Sequence, residues 1–368
     1  MDAQQSMLRV ADLLETGLRS HGLDFSVVRP EPFFGLLAVH LPRLRKWLAY
    51  LDKYVVFPFS LIQRARDCRL VHIVDHANAT YLFWLPKVKS VVTCYDLLAV
   101  RSALGEIPEH RTGFTGKLLQ RWIRAGLRRA SHIVCISEAT RRDVVRLIGR
   151  NGSDVSRIYL GLEPRCAAKL NRNAGGTRAQ DAHDRTGDGP EALAAPSSGY
   201  LLHVGGDTWY KNRRGVLRIY LEVRRRLGAN APGLTMVGPP LEPAIEGVTF
   251  LQNVRDADLP GLYQNAALLL FPSFYEGFGW PIVEAQACGC PVITTGRPPL
   301  TEAGGTAAVW IADPQDAGEA ADRVLEVLRG DPVECERRRQ AGYENATGFS
   351  LERMIANYLQ LYTLVLQE

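Results

Sequence analysis

Phe271-Pro272-Ser273-Phe274-Tyr275-Glu276-Gly277-Phe278-Gly279-Trp280-Pro281-Ile282-Val283-Glu284-Ala285 is the stretch on which the fold turns. Ahead of it, Ala266-Ala267-Leu268-Leu269-Leu270-Phe271 is a continuous apolar run too short for a helix, which predicts a strand buried on both faces. Behind it, Ile282 to Ala287 are helix formers, and Pro281 suits a first helical turn, where its missing N–H would be unpaired anyway. The unit is therefore strand, glycine-bearing loop, helix N-terminus. Unpaired N–H groups and the positive end of the helix dipole suit an anion there, and Gly277 and Gly279 let a ligand approach the backbone.

Two carboxylates, Glu276 and Glu284, flank this anion site. The plainer reading is two solvated acids favouring a helix start. The other reading is that they accept hydrogen bonds from ligand hydroxyls. A ligand carrying both phosphate and many hydroxyls satisfies both halves, and a nucleotide sugar is one.

The spacing Pro-Ser-x-x-Glu-Gly-Phe-Gly-x-Pro-x-x-Glu-Ala, continuing through Ala287-Cys288-Gly289-Cys290-Pro291-Val292-Ile293 and Glu302-Ala303-Gly304-Gly305, resembles the signature of the retaining glycosyltransferases of family 4. The resemblance implies the GT-B fold, α/β with two Rossmann-like domains facing a cleft. It implies that Glu284 holds the ribose hydroxyls, that Glu276 contacts the donor sugar, and that the backbone of Gly277, Phe278 and Gly279 faces sugar and phosphates. It covers nearly the whole chain, and is strongest over 200–330 and weakest over 1–70.

The 368 residues suggest two domains. Apolar content of 46% and charged content of 23% are ordinary for a globular chain. A net charge of +5 is compatible with an anionic substrate or an anionic membrane surface. No apolar run reaches the roughly 18 residues that span a bilayer, and no signal-peptide segment is read at the start. Seven scattered cysteines without a Cys-x-x-Cys pair read as reduced thiols. A cytoplasmic protein is the expectation, with peripheral attachment at the inner face of the membrane as its extension. No metal site and no nucleic-acid partner are expected.

Toward the N-terminus, Leu8 to Leu18 form an amphipathic helix stopped at His21-Gly22, and Phe25-Ser26-Val27-Val28 reads as a strand. An α/β domain ordinarily has a strand before such a helix. None is seen, so the first strand of the N-terminal domain is expected to be missing, through truncation or by nature. Residues 33–66 alternate apolar and basic, most densely from 41, which suits either a helix packed on the sheet or one lying on an anionic membrane. Leu70 to Val74 is a buried strand leading to Asp75-His76, and ligands of open α/β sheets bind beyond such strand ends, so His76 is an acceptor-side candidate. Ser90 to Cys94 is the next strand, followed by Tyr95-Asp96-Leu97, where many family members carry His-Asp-Leu. Asp96 matches and is a catalytic candidate, while Tyr95 replaces the histidine and is an acceptor-side candidate. Residues 101–130 predict a loop and a helix with Trp122 and Leu127 inward. After the strand Ser131 to Ile136, Ser137 reads first as a helix N-cap, and by resemblance as a third acceptor-side candidate. Ile158 to Pro164 looks like the last strand of the domain.

The expected organisation is an N-terminal acceptor domain, 1–165 with a returning terminal helix 350–368; a flexible linker, 166–198; and a nucleotide-sugar-binding domain, 199–349. The second domain opens with the strand Tyr200 to Val204, then Gly205-Gly206 and Lys211-Asn212-Arg213-Arg214. A lysine at a strand-to-helix turn with paired glycines suits a diphosphate. Lys211 matches the family lysine; the arginine that often precedes it is absent, and Arg213 or Arg214 reads equally as a substitute for that charge or as a solvated helix residue. Val254 occupies the loop where the family holds the base. Asp256-Ala257-Asp258 reads as acids at a helix start rather than metal ligands.

The expected activity is transfer of a hexose, with mannose from GDP-mannose the favoured case, from a nucleotide diphosphate sugar to a glycan or lipid-linked glycan hydroxyl. Catalytic candidates are Glu276, Lys211 and Asp96. Donor-binding candidates are Gly205, Gly206, Lys211, Val254, Glu276, Gly277, Phe278, Gly279 and Glu284. No cofactor is expected beyond the nucleotide-sugar co-substrate. The alternatives are a non-catalytic or impaired GT-B relative acting as a binding subunit, motivated by Tyr95 and the missing strand, and a GT-B nucleotide-sugar epimerase.

Overall fold

The structure is a computed structural model and describes residues 5–30, 33–34, 45–85, 88–174 and 199–367. Its contacts divide the chain into two units, Met7–Ile158 with Ile355–Glu368, and Tyr159–Met354.

The first unit opens with helix α1 (Gln5–Ser20), whose Val10, Leu14 and Leu18 recur at helical spacing and are buried. Phe25 to Val28 form no strand. The segment runs mostly exposed beside α1, with Arg29 bonded to Asp12 and Arg19 over the Phe25 ring, and among the described residues no strand pairs with it. Helix α2 (Arg45–Leu51) passes through a π-helical turn, Asp52–Val56, into α3 (Phe57–Arg64). Phe57 and Leu61 of α3 enter the core, as the sheet-packing reading requires, while Tyr50, Val55 and Phe59 are exposed. Part of the stretch from 41 lies outside the described residues.

The sheet of this unit consists of β1 (Leu70–Ile73), β2 (Lys89–Cys94), β3 (His132–Cys135) and β4 (Val155–Arg157), all parallel and in that order. Between β2 and β3 lie α4 (Leu98–Ala103) and α5 (Phe114–Leu127); α6 (Glu138–Ile148) follows β3. Leu127 is fully buried as expected, but Trp122 is not inward: it is exposed on α5. Its ring rests against Tyr54 and Phe83 instead. The last strand is β4, earlier than the Ile158 to Pro164 run. That run is extended and carries buried Leu160 and Leu162, yet Leu162 N–H bonds to the Phe349 carbonyl rather than to a strand. Gly161 is required there, because a Cβ would stand 2.6 Å from Leu351 Cα.

The first helix of the second unit is α7 (Pro164–Ala174), which takes up residues 166–174 of the expected linker. Cys166 and Leu170, one helical turn apart, bury a short apolar face and hold this segment helical. Residues 175–198, the rest of the expected linker, lie outside the described residues. Then come β5 (Tyr200–Val204), α8 (Arg213–Leu227), β6 (Leu234–Val237), β7 (Val248–Leu251), α9 (Leu259–Asn265), β8 (Ala266–Phe271), α10 (Trp280–Ala287), β9 (Val292–Thr295), α11 (Leu300–Gly304), β10 (Val309–Ile311), α12 (Ala317–Leu328) and α13 (Pro332–Thr347). The strands are parallel in the order β10-β9-β8-β5-β6-β7. This is a doubly wound sheet, and its order reverses between β5 and β8. The core is formed by the apolar strand runs, Leu268 and Leu270 of β8 among them, against Val216, Tyr220 and Val324 of the covering helices.

The last helix, α14 (Leu351–Gln367), contributes its residues from Ile355 onward to the first unit. There Tyr362 Oη lies 2.7 Å from His72 Nδ1, and Tyr358 Oη lies 3.0 Å from Thr93 Oγ1. All seven cysteines are free thiols. No helix among the described residues is long and apolar enough to cross a membrane.

Candidate functional site

In a doubly wound sheet, ligands bind beyond the carboxyl ends of the strands where the order reverses. Here that point lies between β5 and β8, and the chain delivers the loop Gly205 to Asn212 from one and Pro272 to Gly279 from the other. Phe274 N–H donates to the Tyr210 carbonyl at 2.8 Å, fastening the two loops together. Asn212 adopts the left-handed conformation at the start of α8, with φ of 52°. Its buried amide donates to the Pro272 carbonyl at 3.0 Å and to the Pro314 carbonyl at 2.8 Å. These bonds fix Lys211, one residue earlier, at the lip of β8.

Lys211 Nζ reaches Glu276 Oε1 at 2.8 Å and Oε2 at 2.9 Å. The side chains are 18% and 8% exposed, so the pair is shielded yet reachable from solvent. Nζ also stands 5.0 Å from the Phe271 ring centroid. Gly205 lies against this pair. A Cβ there would approach His203 Nε2 at 2.9 Å and Lys211 Cδ at 3.5 Å. Gly206 follows in the same turn, its carbonyl accepting from Thr208 N–H.

Around the pair are buried polar atoms without hydrogen-bond partners: Ser273 Oγ, Thr208 Oγ1, His203 Nε2, and Nε and Nη1 of Arg213. Buried polar groups are ordinarily paired, so their clustering at the strand ends marks a place prepared for a polar ligand or water. The Arg213 guanidinium is almost wholly enclosed. It donates from Nη2 to the Pro239 carbonyl at 2.5 Å, and among the described residues Asp207, 3.9 Å away, is the carboxylate paired with it. Burial lowers its pKa. His203 donates from Nδ1 to the Leu270 carbonyl at 3.0 Å, which leaves Nε2 as an acceptor. Burial lowers its pKa to about 4, so the ring is neutral.

Glu284, in the second turn of α10, is 1% exposed and accepts from the Tyr263 hydroxyl at 3.1 Å. This is not the solvated acid of the plainer reading. Gly279 caps α10 with φ of 117°, and a Cβ there would meet Leu300, Ala303 and Ile282 at 3.1–3.2 Å. Phe278 turns its ring away into a cluster with Tyr159 and Phe349, leaving only backbone of the Gly277–Gly279 segment available to a ligand. Val254 follows β7, one edge strand of the sheet, and is half-buried. Asp258 is tied to Arg255 at the start of α9, which is the helix-start role read from sequence.

The remaining candidates belong to the other unit, at the carboxyl edge of its sheet. β1 and β2 pair in register, Ile73 opposite Val92, and release His76 and Tyr95 at the same edge. His76 Nδ1 and the Tyr95 hydroxyl are both buried without hydrogen-bond partners. Asp96 accepts from Leu98 N–H at 2.9 Å, holding the start of α4. Ser137 is fully buried and accepts from Thr140 N–H at 3.1 Å, the N-cap role. Sequence reasoning singled out neither Ser273 nor His203 nor Thr208, and gave Arg213 only as a substitute for a missing arginine.

Two parallel-sheet units, one with a cluster of unpartnered buried polar atoms at its reversal point, define a doubly wound class of α/β protein. Comparison with known proteins narrows this. Residues 8–165 match the family model described as Glycosyltransferase Family 4, and residues 243–347 match Glycosyl transferases group 1. The chain belongs to the family 4, group 1 glycosyltransferases. The O-antigen chain mannosyltransferase B of Escherichia coli is 34% identical over 178 residues, 45% of this chain and 46% of the relative. The D-inositol 3-phosphate glycosyltransferase of Mycolicibacterium smegmatis is 35% identical over 123 residues, 33% of this chain and 27% of the relative. The chain thus spans about half, or less, of the length of these curated relatives.

Among solved structures, Anabaena HepE in complex with UDP-glucose has a TM-score of 0.62 at 17% identity, covering 95% of this chain and 88% of that one. Sucrose-phosphate synthase from Thermosynechococcus elongatus has a TM-score of 0.63 at 19% identity, covering 97% and 92%. The fold is GT-B, with two Rossmann-like domains.

Proposed function

We propose that the protein transfers a hexose from a nucleotide diphosphate sugar to a hydroxyl of a glycan or lipid-linked glycan, with retention of configuration and without a metal. The observation that carries this is the Lys211–Glu276 pair at the β5/β8 reversal, ringed by unpartnered buried polar atoms and followed one helix later by buried Glu284. Such a site offers a cation for a diphosphate and carboxylates for hydroxyls. Glu284 holds the ribose. Glu276, freed in part as Lys211 turns to the diphosphate, accepts from the sugar hydroxyls.

In the reaction the bond from the anomeric carbon to the β-phosphate oxygen breaks, and the acceptor oxygen bonds to the same face of that carbon. The acceptor proton passes to the departing phosphate oxygen. Lys211, the Arg213 guanidinium and the start of α10 stabilise the charge that grows on the diphosphate. Asp96 serves the acceptor side, with His76, Tyr95 and Ser137 near the same sheet edge. The mannosyltransferase name of the Escherichia coli relative favours GDP-mannose as donor. A lipid-linked acceptor places the enzyme peripherally on the cytoplasmic face of the membrane.

The test is a melting-temperature screen with GDP, UDP, ADP and their hexose conjugates, with and without magnesium, because a ligand of the folded state raises the melting temperature. A metal-independent shift with one nucleotide series, reduced in Lys211→Ala and Glu284→Ala, is expected. Unchanged donor affinity in both variants overturns the reading.

A further inference from the structure

Helix α5 presents to solvent a face that a water-facing helix does not ordinarily carry. Phe114, Leu118 and Trp122, spaced four apart on one side, are 82%, 59% and 36% exposed. Lys117 and Arg121 are exposed on the same face. The rings continue across neighbouring elements of the same unit. Trp122 lies 5.1 Å from Tyr54 and 6.4 Å from Phe83, Tyr54 lies 5.9 Å from Tyr50, and Arg129 stands 4.7 Å over Phe83. Exposed Trp84 and Phe59 pair at 6.3 Å beside them. From His110 to Ser137 the sequence holds six Lys and Arg and no Asp or Glu.

We infer that this α5 face, extended by the aromatic residues of α2, α3 and the Phe83-Trp84 turn, docks the protein on an anionic lipid bilayer. The inference deepens the membrane-facing part of the proposed function and gives it a surface. A protein partner or a second copy would also cover apolar rings. The observation that decides for the bilayer is the charge: cations are interleaved with the rings themselves, and this stretch of sequence supplies no acid for a complementary salt bridge to a like surface. Tryptophan, tyrosine and phenylalanine settle at the headgroup level, and Lys and Arg stems lie along the apolar residues while their charges reach lipid phosphates. The exposed residues of α3 and the π-helical turn join this surface as neighbours of α5, so the basic stretch read from the sequence is its flank rather than its centre.

The experiment is co-sedimentation of the whole protein with phosphatidylcholine vesicles and with vesicles also containing phosphatidylglycerol, at low and at high salt. The protein is expected to pellet with the anionic vesicles only, and less at high salt. Lys117→Glu/Arg121→Glu should weaken partition at least about tenfold. Phe114→Ser/Leu118→Ser should remove the binding that survives high salt. The nucleotide-induced melting shift, read on the same samples, should be intact in both variants; it reports folding and the donor site independently of the vesicle result. Wild-type protein left in the supernatant overturns the inference, as do variants that pellet like wild type. Loss of self-association in the same variants, seen by sedimentation velocity without any wild-type vesicle binding, assigns the face to a second copy instead.

Discussion

The pairing of Lys211 with Glu276 makes opposite demands on two ligands of one site. In Lys211→Ala, a diphosphate loses a charge-assisted partner, about 1.5–3 kcal/mol, and so roughly ten- to 150-fold in Kd. In Glu276→Gln, Nζ loses the two contacts of 2.8 and 2.9 Å that now hold it, and becomes free for phosphate. Affinity for the bare nucleoside diphosphate should then hold or rise, while affinity for the nucleotide sugar falls by about 1 kcal/mol or more through the lost hydroxyl acceptor. The two substitutions also separate in stability. A pair 18% and 8% exposed lies between the exposed and the fully buried case, so removing the lysine and stranding the carboxylate should cost about 2 kcal/mol. The double variant should recover part of that. Calorimetric titration with nucleotide and with nucleotide sugar, on wild type, both singles and the double, reads all of these terms. Equal losses for both ligands in Glu276→Gln, or a Lys211→Ala diphosphate affinity within about twofold of wild type, refute the reasoning.

Tyr263→Phe removes one donor to the buried Glu284 carboxylate and should lower stability by about 1.5 kcal/mol, read by urea unfolding. Gly279→Ala forces a side chain into a φ of 117° against three neighbours, so a loss of about 1–3 kcal/mol together with weakened nucleotide binding is expected in the melting screen. His203 is neutral in the fold, with its pKa at about 4, whereas the unfolded chain takes a proton near the ordinary value of 6.5. Stability is therefore lost as pH falls through that window, by about 1.5 kcal/mol from this residue between roughly pH 6.5 and 5, and His203→Asn should flatten that slope in denaturation at a series of pH values. Ser137→Ala should cost about 1 kcal/mol through the lost cap on α6 and leave nucleotide affinity unchanged.

The candidate site is legible in the sequence as far as its placement on the chain is local. Strand, glycine loop and helix start are consecutive residues, so Glu276, Gly279 and Glu284 could be read from spacing, as could Lys211 after Gly205-Gly206. Ser273, His203 and Thr208 were not, because each is an ordinary residue until two loops are fastened together and its hydrogen bonds are counted. The same physics explains the misread elements. Ile158 to Pro164 is apolar and largely buried like a strand, but strand pairing depends on what lies alongside: Ile158 N–H still reaches the Cys135 carbonyl of β3, whereas Leu162 N–H meets the Phe349 carbonyl. Residues 166–174 look like linker by composition, yet two apolar residues one turn apart were enough to fold them against the unit. Trp122 reads as inward from the sequence, but which face of α5 meets the core depends on the neighbouring helices.

The terminal helix sets an order of events in synthesis. Residues from 355 onward complete a core whose other members lie before 159, among them the Tyr358–Thr93 and Tyr362–His72 contacts. A ribosome adding ~5–20 residues per second needs ~10–40 s to produce what lies between. Throughout that interval the unit begun first lacks its closing helix, while the unit begun second can be finished. A nascent chain stalled near Met354 therefore carries a unit whose tyrosine sockets stand open until the helix from Ile355 onward has been made.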